Sequence, residues 1–278
     1  MDINLLVLSV GNSRLAIGTF VAGELTQTRR VALADKPDLA VVIGGAYEPL
    51  AGRSGLALQK KNGNGAEASG RGGAAVVGLS VNPEQAKSVQ EAVDRATGQA
   101  VRWIGRDIEL PITVLTDDPA KTGVDRVLNV AAAYEQLGKA CVVVDAGTAI
   151  TVDCCGEKGE FLGGAIAPGV AMMLDALHAR TAGLPRVDFG KGDLPVDGIG
   201  SSTEGAIRSG VYHGIRGMVR ELAEAYATQI GTWPEVIATG GDAALLFEGW
   251  ELIHAIAPDL TLYGAALAYA NHHIKHGT

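Results

Sequence analysis

The chain opens on a continuous apolar block, residues 5–10 (LLVLSV), which reads as a strand. A polar turn over 11–14 (GNSR) follows, then two further strand-like runs, LAIGTFV and ELTQTRRV, broken at Gly23-Glu24. Residues 38–44 give another apolar run, and 51–73 turn rich in Gly, Ala, Ser and Lys with no hydrophobic period. That stretch predicts a mobile surface loop. It lacks the G-x-x-x-x-G-K-[ST] pattern and the strand-to-helix setting of a phosphate loop.

Residues 74–81 (AAVVGLSV) predict a strand. The next segment, PEQAKSVQEAVDRAT, predicts a helix with Pro83 at its start and Gly98 past its end. Short strands are expected over 101–104 and 112–115, and a helix over 123–137 that stops at Gly138. From there the opening pattern returns: strand 141–144, strand 149–154, turn 156–159, strand 161–166. Even the turns match, Ser9-Val10-Gly11-Asn12-Ser13 against Asp145-Ala146-Gly147-Thr148-Ala149. The chain starts one topology twice. Helices over 172–180, 204–229 and 263–274, a short strand over 236–238 and a small-residue turn over 239–242 complete the pattern.

A length of 278 residues, 47% of them hydrophobic and 19% charged, suits two ordinary globular domains. The formal charge of −8 disfavours nucleic acid or an anionic membrane as partner and favours a small molecule. With no charged-then-apolar leader pattern and no apolar run of spanning length, a cytoplasmic location is expected. Cys141, Cys154 and Cys155 have neither a disulfide framework nor zinc spacing and are expected as reduced core thiols. His272 and His276 share a helical face without further ligand candidates, which fits a solvated helix end.

The candidate chemistry lies between residues 123 and 153. Asp145 ends an apolar strand beside Gly147 and Thr148, where a carboxylate can hold a metal or a water and turn amides can bind phosphate oxygens. Asp125 sits in a glycine-flanked helix start. Two structural alternatives stand beside these: Asp125 capping the helix with Arg126 in a surface pair, and Asp145 in a plain strand-end turn.

The ordered motifs are specific together. GVDR at 123–126 followed by Asn129, DAGTAITVD at 145–153, GGAIAPG at 163–169, TAGLP at 181–185, STEGAIRSG at 202–210, ATGGDA at 238–243 and PDLTLYGAAL at 258–267 run over nearly the whole chain. In that order they resemble the type III pantothenate kinases, of the actin, sugar kinase and Hsp70 superfamily. The resemblance implies an α/β fold of two ribonuclease-H-like (actin-like ATPase) domains with mixed sheets and an interdomain cleft, divided here at 1–117 and 118–278. It implies phosphorylation of pantothenate by ATP with Mg2+ and a monovalent cation (K+ or NH4+), in a homodimer. Asp125 is then the catalytic base; Gly123, Val124, Asp125, Arg126 and Thr203 bind pantothenate; Asp145 holds the monovalent cation. Ser9, Val10, Gly11, Asn12, Ser13, Arg14, Leu15, Ala16 and Thr148 bind ATP. Thr203 also reads as a helix cap with Ser202, and the Gly240-Gly241 turn either sits near adenosine or only permits tight packing.

One position departs from the resemblance. The family's first strand ends in an aspartate two residues before the glycine, and Ser9 stands there in this chain. A serine hydroxyl hydrogen-bonds but brings no negative charge to magnesium. Two other readings follow: a ligand-binding regulator with weak or no catalysis, and a kinase of another small acceptor.

Overall fold

A computed structural model of the chain describes residues 3–53, 74–190, 193 and 198–276. Most of the glycine-rich segment expected as a mobile loop, residues 54–73, lies outside the described residues. The chain divides into two compact units: residues 1–111, 123–128 and 261–278 in the first, 112–122 and 129–260 in the second.

In the first unit β1 (Leu5–Val10), β2 (Arg14–Val21) and β3 (Glu24–Ala32) form an antiparallel meander, and β4 (Ala75–Ser80) and β5 (Arg102–Trp103) add parallel on the other side of β1. The order is β3-β2-β1-β4-β5. The continuous apolar run of β1 has a physical reason: Leu6, Leu8 and Val10 enter one core while Leu5 and Val7 enter another on the opposite face. Each such buried side chain contributes about 1.5–3 kcal/mol.

The first of these cores is closed by α1 (Leu39–Tyr47) and α2 (Pro83–Thr97). Asp38 caps α1 by accepting from the amides of Ala40 and Val41, and Asn82 caps α2 through Glu84 and Gln85. Gly98, in the left-handed region at φ 67°, ends α2. The second core takes in Leu128 of α3 (Val124–Leu137) and Leu262, Ala265 and Ala268 of α7 (Leu260–His276). At Gly264 α7 comes so near α3 that a Cβ would stand 2.1 Å from the carbonyl oxygen of Leu128.

The second unit repeats the plan. Strands β6 (Cys141–Ala146), β7 (Ala149–Cys155) and β8 (Phe161–Pro168) form the meander, and β9 (Glu235–Thr239) and β10 (Ala255–Ile256) extend it parallel to β6. The order β10-β9-β6-β7-β8 is the first sheet's order over again. Helices α4 (Val170–Arg180), α5 (Thr203–Ile230) and α6 (Ala243–Phe247) enclose a core built on Val142, Val144, Ile150, Val152, Ile215 and Val219. Cys141, Cys154 and Cys155 are buried and free within this sheet. No helix among the described residues is long and apolar enough to cross a membrane.

One expectation changes. Residues 112–115 form no strand; only Val114 makes an isolated bridge, to Phe161. The apolar run at 38–44, to which the pattern assigned no element, lies in helix α1 and its cap; two glycines and exposed Val41 hide the helical period. α7 and the first turn of α3 pack into the first unit's core.

Candidate active site

In the first unit Ser9 is the fifth residue of β1, paired with Ala16 and Leu79. The Gly11 amide donates to the Arg14 carbonyl at 3.0 Å and closes the turn. Val10 and Leu15 are buried, so only their backbone can face a ligand, whereas Asn12, Ser13 and Arg14 are exposed. A second turn is tied to this one: Asn82 Nδ2 donates to Asn12 Oδ1 at 3.2 Å, and Ser80 Oγ accepts from the Asn82 amide at 3.0 Å. The helix-cap signature Asn82-Pro83 marks this second turn in the sequence but not its partner.

Asp125 lies in the first turn of α3, where a negative charge is favoured by the helix dipole. Its Oδ1 accepts from the Arg126 amide at 2.9 Å. Burial pushes the Asp125 carboxyl above the ordinary carboxylate range, against the lowering pull of the Arg126 amide and charge. A Cβ on Gly123 would stand 2.7 Å from that Oδ1, so the glycine keeps the carboxylate's place open. Asp125 is the second residue of α3 rather than the residue before it, and its Oδ1 accepts from a first-turn amide, so a helix-terminal role stands beside the catalytic one.

In the second unit Asp145 takes the strand place that Ser9 takes in the first, fifth of β6, and pairs with Thr151 and Thr239. Asn129, buried on α3, donates its Nδ2 to Asp145 Oδ2 at 3.0 Å. The Gly147 amide closes the following turn onto the Ala149 carbonyl at 3.0 Å and leaves Thr148 exposed. The turn after β9 packs directly on this one. Asp242 donates its amide to the Ala146 carbonyl at 2.9 Å, and Gly240, at φ 95°, would with a Cβ come within 2.5 Å of Asp145 Oδ1. Gly240 therefore serves close packing against Asp145, one of its two expected roles.

Ser202 caps α5, its Oγ accepting from the Gly205 amide at 3.0 Å. Thr203 is thus the first helical residue rather than the cap. It lines a largely apolar cavity of about 890 Å³ between α4 and α5, with Met172, Met173, Leu177, Ile207 and Val211. Among the described residues no group of three or more His, Cys, Asp or Glu is placed to hold a metal ion.

A five-stranded order repeated in two units, with small-residue turns after β1, β6 and β9, defines a two-unit α/β fold. A conserved Baf family protein from Campylobacter jejuni shares the fold at 19% identity, with a TM-score of 0.58 over 98% of each chain. Closer likenesses are found in sequence. The family model described as type III pantothenate kinase matches residues 5–225. The type III pantothenate kinase of Moorella thermoacetica is 35% identical over 265 residues, 95% of this chain and 98% of its own. That of Solibacter usitatus is 30% identical over 272 residues, 97% of each. The chain belongs to the type III pantothenate kinase family.

Proposed function

We infer that this chain is a pantothenate kinase, which transfers the γ-phosphoryl group of ATP to the primary alcohol of pantothenate and so makes 4′-phosphopantothenate in the first step of coenzyme A biosynthesis. The observation that carries the assignment of roles is Asp125, raised in pKa by burial and given its place by Gly123 at the start of α3. Phosphoryl transfer asks for in-line positioning and charge neutralisation more than covalent help. Asp125 accepts the alcohol proton as the bond to phosphorus forms, and a carboxyl above its ordinary range accepts it more readily. Arg126 offers a planar cationic fork to the pantothenate carboxylate, while the backbone of Gly123 and Val124 lines the same ligand. The resemblance makes Thr203 a further contact of the acceptor; it lines an apolar cavity within the second unit.

The turn from Ser9 to Ala16 and Thr148 hold ATP through amides and hydroxyls. Asp145 fits a monovalent cation: its carboxylate is fixed by the neutral Asn129 amide and lies in a cradle that a Cβ on Gly240 would fill. Potassium or ammonium bound there would offset phosphate charge. The side chains of the first turn, Ser9, Asn12 and Ser13, are all neutral and do not fit a magnesium ion held by a protein carboxylate. Magnesium belongs here to the ATP that is the substrate. The remaining expectations, a cytoplasmic homodimer without nucleic-acid or membrane partners, rest on the family resemblance and the net charge of −8.

No observation favours the binding-only regulator that Ser9 suggested. The deciding experiment is ATP-dependent formation of phosphopantothenate by the purified protein with magnesium and potassium, beside Asp125→Asn and Ser9→Asp. Turnover by the parent and a fall of about 10²–10⁴-fold in Asp125→Asn are expected. A parent that binds ATP and pantothenate without turnover, or phosphorylates only another acceptor, overturns the assignment.

A further inference from the structure

The turn that follows β1 is held by a neighbour outside the motifs that mark the site. Asn82 stands in the turn after β4, and its side chain bonds at both ends. Its Oδ1 accepts from the amides of Glu84 and Gln85, each at 3.2 Å, and so caps α2. Its Nδ2 donates to Asn12 Oδ1 at 3.2 Å. Ser80 clamps the backbone of the same residue, its Oγ accepting from the Asn82 amide at 3.0 Å and donating to the Asn82 carbonyl at 2.8 Å. Main chain joins the two turns as well, the Val81 amide donating to the Val10 carbonyl at 3.3 Å.

These bonds fix which way two side-chain amides face. Such an amide has an oxygen that only accepts and a nitrogen that only donates, on ends of nearly equal shape. The two α2 amides can be met only by the oxygen of Asn82, so its nitrogen is the end turned to Asn12. The end of Asn12 that meets this donor has to be its oxygen. Asn12 is exposed, and its Nδ2, with two N–H donors, is then the end it presents to a ligand. That orientation matters for an anion. A carbonyl oxygen turned toward phosphate repels it, whereas an N–H donor to a charged oxygen makes one of the stronger hydrogen bonds. Ser9, Asn12 and Ser13 are all neutral, so these side chains act on phosphate through the direction of their donors and not through charge.

We propose that Asn82 is a positioning residue for ATP: anchored on the first amides of α2, it holds the Asn12 side chain with its N–H donors toward the phosphate oxygens. The proposal rests on the reading of the turn from Ser9 to Ala16 as the ATP phosphate site. Asn82 acts through Asn12 and touches no ligand in this role.

The test compares the full-length parent with Asn12→Ala, Asn82→Ser, Asn82→Thr and the double variant Asn12→Ala/Asn82→Ser. It reads the dissociation constant of MgATP, the KM for ATP and for pantothenate, and Tm. Serine and threonine both cap helices well, so Tm should stay within about 3 °C of the parent. Each offers one hydroxyl oxygen to the α2 amides and lacks the second arm that reaches Asn12. Asn12→Ala should weaken MgATP binding about tenfold, the size of one hydrogen bond to a charged group. Both Asn82 variants should weaken it about three- to tenfold and raise the KM for ATP alike, while the KM for pantothenate stays within about twofold. In the double variant serine should add less than about twofold to the loss from alanine, because no Asn12 amide is left to orient. If Asn82→Ser does not fold, Asn82→Thr carries the comparison, alone and combined with Asn12→Ala. Unchanged MgATP affinity in a folded Asn82 variant, with the loss present in Asn12→Ala, overturns the positioning role alone; so do losses that multiply in full in the double variant. Asn12→Ala that binds MgATP as the parent does overturns the reading of Asn12 as an ATP ligand, and the proposal with it.

Discussion

Replacing Gly123 by alanine separates catalysis from folding. The glycine lies outside the left-handed region, so alanine meets no backbone strain, but its Cβ would stand 2.7 Å from Asp125 Oδ1. The other neighbours, Cδ and Cγ of Arg126 at 3.5 and 3.7 Å, are at ordinary contact distance. The Asp125 carboxylate must therefore give way by roughly 0.7 Å to reach an ordinary contact, and displacement on the 1 Å scale costs about 10²-fold in rate. A fall of about 10–100-fold in kcat is expected. Stability responds differently. Alanine for glycine restricts the unfolded chain and contributes about 0.4–1 kcal/mol. Gly123 also stands at the N-cap, its carbonyl accepting from the Val127 amide at 3.3 Å, where alanine is the poorer residue by a similar amount. The two offset, and Tm should move by no more than about 4 °C. The assay is phosphopantothenate formation at saturating ATP and pantothenate, with thermal unfolding of the same preparation. A variant that keeps kcat within about threefold of the parent refutes the argument that Gly123 holds the place of the carboxylate.

Asp125→Asn should stabilise the protein in a pH-dependent way. Burial raises the folded-state pKa of Asp125, so the folded parent loses stability as pH rises from the ordinary carboxylate value through the raised one, and asparagine does not. The Tm of the variant should exceed that of the parent at pH 7 and converge with it toward about pH 4; a constant difference across that range contradicts the burial argument. Gly264→Ala drives a Cβ to 2.1 Å from the Leu128 carbonyl, a backbone atom that cannot rotate away, and should cost about 2–3 kcal/mol by denaturant unfolding. A change under about 0.5 kcal/mol would mean that α7 does not press on α3 as described. The buried thiols should resist alkylation: burial pushes Cys154 up to about 11, and hydrogen bonding to Cys155 together with burial pushes Cys141 far above the thiol range. Iodoacetamide at pH 8 should label the urea-unfolded chain and leave native Cys141 and Cys154 unmodified by mass spectrometry; rapid native labelling refutes their enclosure.

Much of the fold was legible because its signals are local. The apolar blocks of β1 and β6 announce strands, and Pro83 and Gly98 bracket α2 closely. The repeated start of the topology was readable from two turns of like composition. Short-range pattern failed where two structures share it. Residues 112–115 alternate like a strand but pair only at Val114, and the run containing α1 has too many apolar residues for a helical period to show. The ordered motifs singled out Asp125, Asp145 and Thr203 as candidates. Nothing in them distinguished Ser202 from Thr203 as the cap, or tied Asn12 to Asn82 across the intervening residues.

By itself the sequence determined the two strand-turn-strand openings, the carboxylates placed at a helix start and a strand end, and the serine that stands in the first turn where the second has Asp145. Each of these depends on residues within a few positions of one another, where periodicity and turn chemistry act. Only the tertiary structure decided that α7 joins the first unit, that Asn129 donates to Asp145, and that Gly240 holds space beside a carboxylate oxygen of Asp145. Those outcomes depend on separations of a few ångströms between segments distant in sequence, and such separations are set by how whole elements pack, which no local pattern encodes.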